Sequence, residues 1–66
     1  MRDLEVLKAA PVTSNRDNTR EVTLRSWFGR LEVGCTTHKG NFYVRAEPAS
    51  MPEAIAAFDN LVASFA

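Results

Sequence analysis

The 66-residue sequence predicts an α+β fold, a small antiparallel three- or four-stranded β-meander with one C-terminal amphipathic helix packed on one face, in the order β-β-β-β-α. Two observations carry most of this expectation. Apolar residues recur at three- and four-residue spacing near the C-terminus, the period of a helix with one buried stripe. Upstream, apolar residues alternate with polar ones, the period of strands with one buried face, and the runs are separated by short breaks that hold Gly.

The first element is an expected edge strand over 4–10, in which Leu4 and Val6 alternate with charged neighbours and Pro11 confines the run to a sheet edge or ends it. Residues 13–20 are polar throughout and read as a loop. Strands follow over 21–27, 30–37 and 41–47. Val22 and Leu24 share one face of the first of these, Leu31, Val33 and Cys35 one face of the second, and Phe42, Val44 and Ala46 one face of the third.

Phe28-Gly29 and Lys39-Gly40 read as two-residue hairpin turns, because Gly supplies the positive φ that such turns need. The first turn sets Leu24 opposite Val33, Val22 opposite Cys35 and Arg25 opposite Glu32. The second sets Cys35 opposite Val44, Val33 opposite Ala46 and Thr36 opposite Tyr43. Both place the same apolar set on one face and make one cross-strand ion pair, with Glu32 opposite Glu47 as the single unfavourable pairing.

The helix is expected over 51–65. Ser50-Met51-Pro52-Glu53 reads as a capping box, with Pro52 in the first turn, where its missing N–H costs nothing. Met51, Ile55, Phe58, Leu61, Val62 and Phe65 form the expected stripe. Ala54, Ala56, Ala57 and Ala63 and only two charges, Glu53 and Asp59, leave the rest of the helix poor in solvating side chains, which suits a second packing surface.

Composition narrows function by exclusion. Hydrophobic residues make up 45% and charged residues 24%, the balance of a folded domain. A single domain this short buries only about 60% of its unfolded surface, so a partner or a second copy would add stability. Eight basic and eight acidic residues cancel, which removes the simplest argument for a nucleic-acid or membrane partner. The charge is nonetheless uneven. Arg16, Arg20, Arg25, Arg30, Lys39 and Arg45 stand against Asp17, Glu21 and Glu32 in the middle, whereas Glu47, Glu53 and Asp59 follow without a base.

The lone Cys35 cannot form an internal disulfide, which points to a reducing, cytoplasmic setting. The N-terminus lacks the apolar run of a signal peptide, and no stretch is apolar enough to span a bilayer. With one Cys and one His, His38, in the chain, neither nucleophilic catalysis nor a zinc site has its residues, and the three glycines are isolated. No enzyme activity, metal or cofactor is expected.

Binding is the remaining class. The outer face of the sheet, by the register above, shows Arg25, Trp27, Arg30, Tyr43 and Arg45, residue types enriched at interaction hot spots, with Gly34 allowing close approach at its centre. Two partner classes fit. A protein, including a second copy in a homodimer, accommodates the mixed charge, as an adaptor or inhibitor does, a small inhibitor encoded by a mobile element among them. Single-stranded nucleic acid is the alternative, with bases on the rings and phosphates on the arginines.

Val22 to Leu31, with Trp27, Gly29 and Arg30, resembles the strand-turn-strand of positive-cofactor-type single-stranded-DNA-binding proteins, which also end in a helix. The Trp27-Phe28-Gly29-Arg30 run, followed by an Ala- and Phe-containing helix, is similar to the tryptophan-glycine-arginine domain of DNA-repair polymerases, with Phe28 interrupting the motif. Each resemblance covers less than half the chain, and neither assigns a functional residue.

Overall fold

A computed structural model describes residues 4–13 and 18–65. Four strands, β1 (Leu4–Pro11), β2 (Thr19–Trp27), β3 (Arg30–Thr37) and β4 (Phe42–Ala46), are followed by one helix, α1 (Met51–Ala63). The strands form an open antiparallel sheet in the order β1-β2-β3-β4, an α+β meander with its helix at the end. Residues 14–17 of the predicted polar loop lie outside the described residues, and β2 begins at Thr19, two residues before the predicted strand start.

The β2–β3 hairpin follows the expected register, with Leu24 opposite Val33, Val22 opposite Cys35, and Arg25 opposite Glu32. Its turn is Phe28-Gly29, and both residues have positive φ, 49° and 80°. This is the backbone of a type I′ turn, whose twist matches that of the strands it joins.

The β3–β4 hairpin departs from the expected register, because its loop has three residues, 38–40, rather than two. Thr37 donates its N–H to the Asn41 carbonyl (2.8 Å), and the Gly40 N–H donates to the Thr37 carbonyl (2.9 Å). Gly40, at φ +88°, closes the loop in the left-handed conformation of a three-residue hairpin. Thr36 therefore faces Phe42, Cys35 faces Tyr43 and Gly34 faces Val44. An irregularity between Val33 and Gly34 then restores the predicted pairing of Val33 with Ala46, leaving Arg45 as the extra residue of a β-bulge. A one-residue slip reverses the faces of a strand. Phe42 and Val44 consequently point away from the helix, and Tyr43 points to its side. Because β4 ends at Ala46, the expected pairing of Glu32 with Glu47 does not form.

The helix lies against β2 and β3. Val22, Leu24 and Val33 from the sheet and Ala54 and Phe58 from the helix make the buried core, flanked by Ala10, Leu31, Ala46, Leu61, Val62 and Phe65. Of the predicted stripe, Met51 and Ile55 are exposed instead, and the seam is centred on Ala54 and Phe58. Ala at the contact lets helix and sheet approach closely, and this rotates the larger Ile55 to the flank. Ala56 and Ala63 face outward as expected, whereas Ala54 and Ala57 belong to the sheet side.

The N-terminus of the helix is capped as its sequence predicts: Ser50 Oγ accepts from the Glu53 N–H (3.4 Å). Glu53 reaches back one residue beyond the cap, its carboxylate accepting from the Ala49 N–H (3.1 Å). On the β1 side, Lys8 faces the helix, its Nζ 5.0 Å from the centre of the Phe58 ring and 3.9 Å from Asp59. Among the described residues, no helix is long and apolar enough to cross a membrane.

Candidate binding surfaces on the two faces of the sheet

The pairing divides the predicted site residues between two faces. Arg25 and Trp27, with Arg30 opposite Trp27 at the hairpin end, lie on the outer face. Tyr43, opposite Cys35, lies on the helix side, where Arg45 joins it. The expected surface of five is thus corrected to two smaller ones. Phe42 takes the outer position expected of Tyr43, and it escaped the sequence reading because the loop length was misjudged by one residue.

The outer face is organised around Arg25. Its Nε donates to Glu32 Oε1 at 2.8 Å, with the side chains only 21% and 10% exposed. Its guanidinium carbon stands 3.8 Å from the centre of the Phe42 ring and 5.6 Å from that of Trp27. Trp27 in turn meets Phe28 edge to face, ring centres 4.5 Å apart. The result is a strip of Phe42, Arg25, Trp27 and Phe28 running across the sheet from β4 to the β2–β3 turn.

Beneath the strip, Thr23 and Glu32 are buried although no second layer among the described residues covers this face, and Thr23 Oγ1 shares a hydrogen bond with Thr36 Oγ1 (3.0 Å). On either side stand apolar side chains that no part of the described fold covers: Leu4 (40% exposed) and Val6 (59%) from β1, Trp27 (38%) from β2 and Val44 (44%) from β4. Charge at the centre of this face is locally neutral, since Arg25 is paired with Glu32, and Arg30 adds a cation at the hairpin end.

The helix side is different in chemistry. Where the helix leaves β3 and β4 uncovered, an open depression of about 480 Å³ is lined by Asn18, Thr19, Thr37, Lys39, Asn41, Tyr43 and Arg45, with Cys35 at its buried floor. Asn18 has a positive φ of 60°, and its carbonyl accepts the His38 N–H at 3.1 Å, which fixes the corner of the depression against the β3–β4 loop. His38 itself is exposed in that loop. Among the described residues, no group of three His, Cys, Asp or Glu side chains is arranged to hold a metal ion.

Compared with protein-family models, with curated proteins and with solved structures, the chain matches none.

Proposed function

We propose that the chain is a small non-enzymatic binding module that docks on a partner protein through the outer face of its sheet, in the manner of an adaptor or inhibitor. The observation that carries this reading is an uncovered sheet face with apolar side chains on β1, β2 and β4 around an arginine already neutralised by Glu32. A surface of that kind is stabilised by covering with apolar protein surface.

The same observation weighs against single-stranded nucleic acid on this face. A phosphate would have to compete with Glu32 for Arg25, whose plane is also occupied by Phe42. Phosphate contacts supply most of the affinity of such complexes, and among the described residues no other cation stands at the centre of the face.

Size sets the kind of contact. Four strands spaced about 4.8 Å apart and about 20 Å long give a face of roughly 400 Å² in plan. Contacts of that extent fall in the small, transient class of interfaces rather than the obligate one. A second copy of the chain meets the chemical description of the partner, being apolar and locally neutral at the centre of the same face, and can stack there without charge repulsion at the Arg25–Glu32 pair.

Light scattering after size exclusion, with and without a fluorescent single-stranded oligonucleotide at low salt, tests the reading. A concentration-dependent dimer that Val44→Lys and Val6→Lys reduce to monomer makes the second copy the partner. Co-migration with the oligonucleotide that vanishes as salt rises, and that the same substitutions leave intact, would sink the protein-docking reading.

A further inference from the structure

We infer that β1 is a second interface: its outer edge pairs antiparallel with β1 of a second copy about a two-fold axis at Val6, joining two four-stranded sheets into one of eight strands. This surface is the rim of the sheet, and it is independent of what covers the outer face. Three observations converge on it.

The first is the edge itself. Among the described residues β1 has a neighbour on one side only, and every one of its residues except Ala10 is exposed. Leu4, Val6 and Leu7 are large apolar side chains among them. A long, exposed, apolar edge strand is a template for another strand. The opposite edge is a poorer template, since β4 has five residues and carries the bulge at Arg45.

The second is the direction of the backbone groups. Antiparallel strands exchange hydrogen bonds at every second residue. The Val12 N–H donates to the Arg20 carbonyl (3.1 Å), so Ala10 and Lys8 bond to β2 in the same phase and Ala9 turns its N–H and carbonyl outward. Beyond the irregularity at Leu7, the Phe28-Gly29 turn closes on Trp27 and Arg30, which commits Trp27 and Arg25 to β3 and Ser26 to β1. Glu5, opposite Ser26, therefore bonds inward, and Leu4 and Val6 turn outward.

The third is that this edge is self-complementary. With the bulged Leu7 counted together with Lys8, the outward residues Leu4, Val6 and Ala9 are evenly spaced. A two-fold axis at Val6 sets Val6 opposite the second copy's Val6 and Leu4 opposite its Ala9, all on the outer face. On the helix side the same axis sets Glu5 opposite the second copy's Lys8, and does so twice. Lys8 lies 3.9 Å from Asp59 with both side chains more than half exposed, which leaves it able to take a second carboxylate. A lysine and a bulge ordinarily guard an edge, but in this register the lysine meets an opposite charge and each bulge falls opposite a Glu5. The two helices, each lying over β2 and β3, stand about 19 Å apart and, at about 10–12 Å across, do not collide. The two outer faces become one, with Leu4 and Val6 of both copies at its centre.

Light scattering of the intact chain over a dilution series tests the edge separately from the outer face, because Glu5 and Lys8 lie on the helix side. The parent should dimerise. Glu5→Lys and Lys8→Glu should each weaken the dimer about tenfold, as two cross-strand attractions become repulsions. An equimolar mixture of the two variants should recover a heterodimer, in which every lysine meets a glutamate. Val44→Lys, on the far strand, should leave the dimer intact. In amide exchange, the N–H groups of Val6 and Ala9 should be protected in concentrated solution and lose that protection on dilution.

A parent that stays monomeric up to ~1 mM would overturn the inference. So would a dimer that Val44→Lys abolishes and both charge variants leave unchanged, because that outcome assigns self-association to the outer face.

Discussion

The ring of Phe42 on β4 occupies the space above Gly34 on β3: a Cβ added at Gly34 would stand 2.8 Å from Phe42 Cζ and would collide with the Tyr43 carbonyl oxygen. The clash with backbone cannot be relieved by a rotamer change, so Gly34→Ala must push β4 away from β3 or displace the ring from Arg25. We expect a loss of about 1–3 kcal/mol, the range of overpacking in a filled site. A urea unfolding midpoint measures it. An alanine tolerated without loss would mean that β4 does not pair with β3 in the register described.

Arg25 and Glu32 act as one unit. Glu32→Leu leaves the guanidinium half-buried without its acceptor, and Arg25→Leu leaves a buried carboxylate without its donor. Each single change is expected to cost about 1–3 kcal/mol, the range for a hydrogen bond to a charged group left unmade. Replacing both by leucine removes both uncompensated charges and should cost less than the sum of the two, a coupling that a double-mutant cycle by chemical denaturation reads directly. Additive losses would show that the pair is solvated and energetically independent.

How much of this was legible in the sequence depended on whether a local signal was unique. Phe28-Gly29 with Arg25 and Glu32 placed to pair specified one register for the first hairpin. At the second, Gly40 at the end of a loop suits both a two-residue and a three-residue turn, since both require positive φ there. The alternation of Phe42, Val44 and Ala46 favoured the wrong one. Only the space needed over Gly34 and the bulge at Arg45 decide it, and neither is visible without the neighbouring strand. The helix could be recognised by period and cap, but its rotation could not: large apolar residues dominate the pattern, while Ala54 makes the closest approach.

Phe28 stands at φ 49°, a conformation that costs a non-glycine residue about 1–2 kcal/mol. Its edge contact with Trp27 returns about 0.5–1.5 kcal/mol at most, and at an exposed site the low end applies. Strain therefore outweighs contact, and Phe28→Asn, a residue favoured at this position of a type I′ turn, should stabilise the fold by up to about 1 kcal/mol. It should also weaken partner docking, because the strip on the outer face loses its end. Thermal or urea unfolding checks the first effect, and the concentration dependence of the native mass checks the second. A destabilised variant would show that the ring contact matters more than the backbone.

Trp27 and Leu24 lie three residues apart on β2 and face opposite sides of the sheet, so their truncation separates surface from core. Leu24 is buried between β3 and the helix, and Leu24→Ala should cost about 2–5 kcal/mol. A 66-residue chain at the usual 0.05–0.15 kcal/mol per residue has only about 3–10 kcal/mol in all, so that variant should be largely unfolded at 37 °C. Trp27→Ala removes a larger side chain from an exposed position and should cost no more than about 1 kcal/mol, while abolishing docking through the outer face. Circular dichroism melts of the two variants, read beside their native masses, make the comparison. If Trp27→Ala unfolds the chain as Leu24→Ala does, the ring is part of the core and the outer face is not a free surface. If it melts like the parent but no longer associates, the tryptophan belongs to the interface.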